Sequence, residues 1–205
     1  MNDGYLHILN SIASSEPTPG GGSVAALSLA HAHSLAAMVS RLTLKSEKWS
    51  QGHSIANSIV DESESLIAAS VTLAKRDAAA FDAVMDAYRL PKDQSDSTMR
   101  AEAIREATIG AAIVPLQTVH ASQALLERLL VLSKVCNANA LTDLAASAEL
   151  AHSAAKIAEM NIKINTHYIS GNDVEQIDDD TRLSIIECNR LVSNVSAVCI
   201  ERLGW

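Results

Sequence analysis

Apolar residues recur at three- and four-residue steps along most of this 205-residue chain, which is the period of an α-helix. The clearest segment covers residues 23–44, where two stripes of the predicted helix are both apolar. One stripe consists of Val24, Leu27, His31, Leu35, Met38 and Leu42. The opposite stripe consists of Ala25, Leu29, Ala32, Ala36 and Val39. Because a helix that is apolar on both sides is typical of a core, we expect this helix to be central and His31 to be a hydrogen-bonded core residue.

Proline and glycine clusters divide the remaining apolar pattern into further helices. The predicted helices cover residues 3–13, 23–44, 51–89, 98–135, 140–169 and 172–202. Pro115 lies inside the fourth helix and is expected to kink it near residues 110–112, since it removes one backbone hydrogen bond. No segment alternates with a period of two. The pattern therefore predicts an all-α bundle of about six helices with long central helices, forming one domain over residues 1–205.

The apolar content is unusual in kind, because hydrophobic residues make up 48% of the chain but aromatic residues only 3%. Much of the remainder is alanine, which favours helices and removes little apolar area per residue on burial. Such a chain gains from burying a second surface against a copy of itself, so we expect a homodimer. The formal net charge of −8 argues against nucleic-acid binding through the overall field.

Several features favour a cytoplasmic location. No run of eighteen or more uncharged apolar residues is present, so we predict no membrane span and no membrane partner. The first residues carry neither a basic segment nor a long apolar segment, so no secretory signal is expected. Cys136, Cys188 and Cys199 have no metal-binding or redox spacing, and we expect them to be buried thiols in a reducing compartment.

The strongest helix break is Pro-Thr-Pro-Gly-Gly-Gly-Ser at residues 17–23, directly before an apolar helix. Glycines allow the backbone to approach a ligand closely, and the first amides of the following helix attract an anion or a polar carbonyl. The alternative is that these glycines only allow a tight turn against a neighbouring helix. A nucleotide-binding P-loop is not indicated, because its glycine–lysine spacing and preceding strand are both missing.

A second group of candidates consists of polar residues on alanine-rich helices. Asp77 and Asp143 are carboxylates in such surroundings, and Asn161 and Asn165 are one helical turn apart. Two amides at this spacing share a face and are suited to binding a flat polar heterocycle. The alternative is structural: Asp143 caps its helix, and the asparagines pair across a helix contact.

The seven histidines do not indicate a metal site. His31 and His33 are two residues apart and face different sides of a helix, and the chain has no His-Glu-x-x-His pattern. Nucleophilic catalysis also lacks a signature, because no Gly-x-Ser-x-Gly elbow is present and no cysteine has an evident base beside it. We therefore predict no metal.

Five ordered motifs resemble the family of formiminotetrahydrofolate cyclodeaminases and methenyltetrahydrofolate cyclohydrolases. They are Pro-Thr-Pro-Gly-Gly-Gly-Ser-Val-Ala-Ala at 17–26, Asp-Ala-Ala-Ala-Phe at 77–81, Tyr-Arg-Leu-Pro-Lys at 88–92, Val-Pro-Leu at 114–116 and Asn-Ile-Lys-Ile-Asn at 161–165. The resemblance implies an all-α subunit that dimerises and holds a tetrahydrofolate derivative as substrate beside the glycine-rich turn, with no cofactor.

The resemblance also implies the reaction: 5,10-methenyltetrahydrofolate is formed from 5-formiminotetrahydrofolate with release of ammonia, or is hydrolysed to 10-formyltetrahydrofolate. Both routes need a proton taken from one group and given to another, which a carboxylate and a cation can do. The expected catalytic residues are Asp77, Asp143 and Lys92. The expected substrate-binding residues are Pro19, Gly20, Gly21, Gly22, Ser23, Asn161 and Asn165. The hypothesis requires the glycine-rich turn to share a cleft with Asp77, Asp143 and Asn161.

Departures from the family pattern keep two alternatives open. Where the family usually has Gly-Asn and Ser-Asp, this chain has Cys136-Asn137 and Thr142-Asp143, and Arg76 replaces an acidic residue. One alternative is therefore a relative that acts as a cyclase or hydrolase on a non-folate substrate. The other is a non-catalytic helical oligomer, for which the doubly apolar helices are suited.

Overall fold

Six α-helices make up most of the computed structural model, which describes residues 3–91 and 97–205. They are α1 (Asp3–Ile12), α2 (Gly21–Leu44), α3 (His53–Arg89), α4 (Ser97–Val135), α5 (Leu141–Thr166) and α6 (Asn172–Leu203). Short 3-10 helices at Glu47–Gly52 and Ala138–Ala140 precede α3 and α5. No strand occurs among the described residues. The predicted all-α class and the number of helices are confirmed, and Lys92 lies outside the described residues.

Helix α2 begins at Gly21, two residues before the predicted start at Ser23. Gly20 is the N-cap residue and has an extended conformation with φ of −105°. The prediction treated all three glycines as helix breakers. In the first turn, however, amide groups have no partner within the helix, and a side chain elsewhere in the fold can bond them. Gly21 and Gly22 form this first turn, so the glycine-rich segment is partly helical.

The core is formed where α2 packs against α3 and α5, and where α4 packs against α3, α5 and α6. Alanines allow the helix backbones to approach closely, and Ala32 and Ala151 are fully buried. The hydroxyl of Ser147 on α5 donates a hydrogen bond of 2.7 Å to the carbonyl oxygen of Ala32 on α2. This contact fixes the height of α5, which carries Asn161 and Asn165, relative to α2, which begins in the glycine-rich segment.

Only one of the two apolar stripes of α2 is buried within the subunit. Ala25, Leu29 and Ala32 belong to the core, whereas Met38 and His31 of the other stripe are exposed. Helix α2 packs against α3, α4 and α5 and is central, as expected. The other members of its second stripe, Val24, Leu27, Leu35 and Leu42, are half-buried, so this stripe is only partly covered within one subunit.

The buried histidine is His33, not His31. His31 is exposed, with Nδ1 2.7 Å from the carbonyl oxygen of Leu27 and Nε2 3.3 Å from the hydroxyl of Tyr5. His33 lies four residues after Leu29 and falls on the buried stripe. Burial is the main cause that lowers the pKa of His33 to about 4, and the nearby Arg128 charge lowers it further. His33 is thus a neutral core residue near neutral pH.

Helix α1 is amphipathic but has no buried residue. Leu6 is 57% exposed, and Leu9 and Tyr5 are also exposed. We call these side chains, together with Leu27, Leu35 and Met38 of α2, the outer apolar surface. Tyr5 and His31, whose rings meet edge to face with centroids 6.0 Å apart, join its two halves. A ten-residue helix is marginal in water on its own, so this surface gains from being covered.

Three helices, Gly21–Leu44, Thr98–Val135 and Asn172–Leu203, are long and apolar enough to cross a membrane by length and composition alone. The sequence criterion of wholly uncharged runs overlooked them, because these helices contain isolated charged residues. Of their most apolar windows, 61%, 56% and 33% respectively is buried inside the subunit. That the chain has no membrane partner remains a prediction. The three cysteines are free and buried, as expected.

Candidate active site

A cavity of about 290 Å³ opens at the N-terminal end of α2. The loop before α2 forms one side, and α3, α4 and α5 form the others. The cavity is lined by Pro17, Thr18, Gly20, Gly21, Gly22, Asp77, Phe81, Val84, Ala111, Asn161, Ile164 and Asn165. The structure therefore brings the glycine-rich turn, Asp77 and both asparagines together. Their roles in binding and catalysis remain predictions.

Asp77 is the carboxylate of this cavity, and α2 holds it in place. Its Oδ2 accepts a hydrogen bond of 3.0 Å from the hydroxyl of Ser23. The backbone N–H of Ser23 also donates to the carboxylate. Burial raises the pKa of Asp77, and the two bonds from Ser23 oppose that rise without cancelling it. Asp77 is consequently a carboxylate that binds a proton more readily than an exposed aspartate does.

Gly22 is required by the closeness of α2 to Asp77. A Cβ atom at position 22 would lie 2.1 Å from Oδ1 and 2.6 Å from Cγ of Asp77. At Gly21 the nearest atom to an added Cβ would be Nδ2 of Asn161 at 3.7 Å, which is an ordinary contact. The three glycines therefore differ in function. Gly22 allows the contact with Asp77, while Gly20 and Gly21 line the cavity.

The two asparagines present their side-chain oxygens and keep their nitrogens for the protein. Nδ2 of Asn165 donates to the carbonyl oxygens of Ala111 and Asn161, each at 2.9 Å. Nδ2 of Asn161 donates to the carbonyl oxygen of Ile157, also at 2.9 Å. Within the described part of the chain, neither side-chain oxygen accepts a hydrogen bond. These oxygens are available to N–H or O–H groups of a ligand.

Apolar walls complete the cavity, and their residues are not among the predicted site residues. Phe81, the only phenylalanine of the chain, is 38% exposed, and Ile164 and Val84 also contribute. The helical spacing of Phe81 and Ile164 could have indicated that they belong to the cavity. Phe81 lies four residues after Asp77, and Ile164 lies three residues after Asn161, so each shares a helix face with a predicted site residue.

Two predicted ligand contacts lie elsewhere. Ser23 is only 1% exposed and does not line the cavity, because it sits behind Asp77 with its hydroxyl 3.0 Å from that carboxylate and from the carbonyl oxygen of Ala74. Ser23 thus positions Asp77. Pro19 lines a separate groove beside His7 and Glu16. Neither residue lines the cavity within one subunit, and contact of either with the substrate stays a prediction.

Asp143 does not share the cavity with Asp77. It lies in the first turn of α5, whereas Asn161 and Asn165 lie near the other end of that helix. The 18 residues from Asp143 to Asn161 in this uninterrupted helix correspond to about 27 Å along the axis. The prediction of a cleft common to Asp77 and Asp143 is therefore wrong within one subunit.

A larger groove of about 640 Å³ lies between α5 and α6, but its charged groups already have partners. Lys163 pairs with Glu159 at 2.7 Å, and Arg182 pairs with Asp179 at 3.0 Å. The hydroxyl of Thr166 donates to Asp178 at 2.9 Å. Over residues 3–91 and 97–205, no group of three or more His, Cys, Asp or Glu side chains is arranged to hold a metal ion. The cavity beside α2 is therefore the stronger candidate for chemistry.

Known proteins resemble this chain in sequence and in fold. Residues 6–180 match the family described as formiminotransferase-cyclodeaminase. A methenyltetrahydrofolate cyclohydrolase from Methylorubrum extorquens is 32% identical over 165 residues, which is 80% of this chain and 79% of that protein. A mouse formimidoyltransferase-cyclodeaminase is 31% identical over 72% of this chain, but over only 27% of its own length.

The fold comparison agrees with the sequence comparison. The crystal structure of a formiminotetrahydrofolate cyclodeaminase from Thermotoga maritima superposes with a TM-score of 0.87 at 26% identity. The superposition covers 97% of this chain and 96% of the other. The match therefore extends over all six helices and is not confined to the glycine-rich turn. This chain belongs to the formiminotransferase-cyclodeaminase family.

Proposed function

We propose that this protein is a folate one-carbon enzyme that converts 5,10-methenyltetrahydrofolate to 10-formyltetrahydrofolate by hydrolysis. The observation that carries the proposal is a half-buried carboxylate, Asp77, that shares one cavity with two amide oxygens to which none of the described residues donates. The identity with the Methylorubrum cyclohydrolase over most of both chains favours this direction. The second candidate is cyclodeamination of 5-formiminotetrahydrofolate with release of ammonia, which the similarity in fold to the Thermotoga enzyme favours.

Asp77 is suited to the proton transfers that both reactions need. Each reaction passes through a tetrahedral carbon that bridges two folate nitrogens, so one proton leaves the nucleophile and another reaches the leaving nitrogen. Burial raises the pKa of Asp77 towards the operating pH, which favours a group that both accepts and returns a proton. In its ionised form the same carboxylate stabilises the positive charge of the methenyl group.

The remaining cavity residues are suited to holding a flat, polar ring. Phe81 and Ile164 offer apolar surface, and the oxygens of Asn161 and Asn165 accept hydrogen bonds from ring N–H groups. The backbone of Gly20 and Gly21 is close enough to the cavity to contact the ligand. Lys92 is proposed as a general acid or as a contact for the glutamate of the substrate, on the strength of the family motif alone.

We also propose that two copies associate through the outer apolar surface, in the cytoplasm and without nucleic acid, membrane or cofactor. The surface is poor in charge: Gly21–Leu44 carries a single charged residue, Arg41, besides its histidines. Light scattering is expected to give twice the chain mass of 21.7 kDa. Leu6→Glu is expected to shift this mass to that of one chain. Leu183→Glu, at an equally exposed leucine of α6, serves as the matched control and should leave the dimer intact.

Turnover of methenyltetrahydrofolate tests the proposed function directly. The absorbance of the methenyl chromophore should fall faster with the protein than without it, and Asp77→Asn should reduce the rate on the order of a hundredfold. Asp82→Asn is the matched control, because Asp82 is an exposed aspartate on the same helix and does not line the cavity. Equal turnover by the Asp77 variant and the natural protein would remove Asp77 from the mechanism.

Ligand-induced thermal stabilisation separates the proposal from its two alternatives. A reduced folate that binds the folded state raises the melting temperature, and the rise grows with the logarithm of its concentration divided by its Kd. A relative that acts on a non-folate substrate would show neither this shift nor turnover of any reduced folate. A non-catalytic oligomer would also be unaffected by Asp77→Asn in every ligand assay.

A further inference from the structure

Pro115 lies inside α4, and it changes the hydrogen bonding of the cavity wall. In an α-helix, the N–H of residue 115 would donate to the carbonyl oxygen of Ala111, but proline has no N–H. Ala111 is only 8% exposed, so an unpaired carbonyl there would be costly. The missing donor is supplied from α5, where Nδ2 of Asn165 lies 2.9 Å from the Ala111 oxygen.

This arrangement fixes the orientation of the Asn165 amide. Its nitrogen carries two hydrogens, and the second is directed at the carbonyl oxygen of Asn161, 2.9 Å away. Both partners are pure acceptors, so only the nitrogen of the amide can face them. The side-chain oxygen must therefore point away from both carbonyls. Asn165 lines the cavity, and none of the described residues donates to that oxygen.

We propose that Pro115 is a positioning residue that makes Asn165 an acceptor-only group, so that the cavity selects ligands with an N–H or O–H donor at this point. The inference rests on the proposed function in one respect, namely that the substrate occupies this cavity. The edge of a reduced pterin ring carries such N–H donors. Without the proline, the N–H of residue 115 would satisfy the Ala111 carbonyl, and the bond from Asn165 to Asn161 would be the main contact left to hold the amide in this orientation.

Two substitutions test the hydrogen bond without any ligand. Asn165→Leu keeps the side chain similar in size but leaves the Ala111 carbonyl without a donor when residue 115 is proline. We expect a fall in melting temperature of about 5 °C, as for one buried unpaired polar group in a domain of this size. In the Pro115→Ala background, the backbone N–H of residue 115 donates to the Ala111 carbonyl. Asn165→Leu should therefore lower the melting temperature much less in that background.

Asn161→Leu is the matched control for this double-mutant cycle. Asn161 is one turn from Asn165 and lines the same cavity, but its amide bonds the carbonyl oxygen of Ile157. Its effect on the melting temperature should therefore be the same with proline or alanine at position 115. Asn165→Ala offers a second variant of lower steric demand. The proposal would be overturned if Asn165→Leu and Asn165→Ala each lowered the melting temperature as much with alanine at position 115 as with proline.

Substrate kinetics test the selectivity. Pro115→Ala is expected to raise KM for methenyltetrahydrofolate about tenfold, as for the loss of one well-placed hydrogen bond, while kcat stays within about twofold. A general disturbance of the fold would lower kcat as well, and that result would count against a positioning role. If the cycle shows coupling but no reduced folate binds the natural protein, the proposed function fails while the Pro115–Asn165 positioning stands.

Discussion

The two ends of α5 carry similar polar residues but use them differently. Towards the C-terminal end, Asn161 and Asn165 line a cavity, and none of the described residues donates to their side-chain oxygens. Just before the N-terminal end, both polar atoms of the Asn137 side chain bond the backbone. Its oxygen accepts from the N–H of Asn139 at 3.0 Å, and its nitrogen donates to the carbonyl oxygen of Leu42 at 3.4 Å. Unused hydrogen-bonding capacity, rather than residue type, therefore separates a ligand site from a structural junction.

Arg202 makes further contacts within the chain close to Asn137, near the N-terminal end of α5. Its guanidinium donates to the carbonyl oxygens of Ser133 and Cys136, the latter at 2.8 Å, where α4 ends. The guanidinium also lies over the ring of Trp49, 5.9 Å from its centroid. The last carbonyl groups of a helix have no partner within it, so this cation satisfies them and interacts favourably with the helix dipole. This end of the bundle is closed by contacts within the chain.

The largest effect on the cavity end is expected from Gly22→Ala. The added Cβ would lie 2.1 Å from Oδ1 of Asp77, so the carboxylate must leave its place on Ser23. Because a displaced acid–base group loses most of its contribution, turnover should fall on the order of a hundredfold. The measurement is kcat for methenyltetrahydrofolate, with circular dichroism to establish that the helices are intact.

Gly110→Ala is the control for this substitution. Gly110 is also helical, but an added Cβ would have no heavy atom within 4 Å. Replacing a helical glycine by alanine is worth roughly 0.5–1 kcal/mol in favour of the fold. The control should thus be slightly more stable and fully active. Wild-type kcat in the Gly22 variant would show that the close contact with Asp77 is irrelevant to catalysis.

At the structural end, Arg202→Met is expected to lower stability and leave the chemistry alone. Methionine keeps much of the side-chain volume but removes the donors to Ser133 and Cys136. A loss of about 2 kcal/mol in the free energy of unfolding is expected from urea titration, since bonds from a charged donor are among the stronger ones. KM and kcat per folded molecule should match those of the natural protein, and a raised KM would link this end to the cavity.

The pKa of Asp77 predicts a smaller, pH-dependent effect on stability. Folding raises this pKa above its unfolded value of 3.8, so protonation favours the folded state. The favourable contribution is present below the unfolded pKa and is lost as pH rises through the folded pKa. At neutral pH the buried charge consequently costs stability, and Asp77→Asn should melt at or above the temperature of the natural protein.

Thermal melts across the acidic range check this sign. The advantage of Asp77→Asn should shrink as the pH falls towards 3.8, where the natural carboxyl group becomes neutral. Asp82→Asn again serves as the control. A variant that melts well below the natural protein at neutral pH would mean that Asp77 is held mainly for structure, which would weaken the contrast between the two ends of α5.

The sequence predicted the helices better than their surroundings. The helical period of the apolar residues and the proline and glycine breaks located all six helices, because the apolar pattern of each helix is a local property of the sequence. The same pattern could not decide which of the two apolar stripes of α2 the subunit buries, because both satisfy the period. His33 rather than His31 is buried for this reason.

Within the site, local motifs identified residues that lie together, but the sequence could not show the long-range geometry. The glycine-rich turn, Asp77 and the asparagines were found, and they line one cavity. Ser23 is predicted as a ligand contact, but only the folded structure shows Asp77 in front of it. The role of Pro115 was also invisible, since its missing N–H matters only through Asn165 on another helix.

Asp143 offers the last and smallest expected effect. If each subunit forms its site alone, a carboxylate about 27 Å from Asn161 along α5 has no access to the substrate. Asp143→Asn should then keep kcat and KM within about twofold of the natural values, measured at matched dimer mass. A loss as large as that of Asp77→Asn, with helicity and mass preserved, would mean that a second subunit brings its Asp143 to the cavity. The cavity and the far end of α5 would then be parts of one site divided between two chains, and the contrast between them would hold only within a single chain.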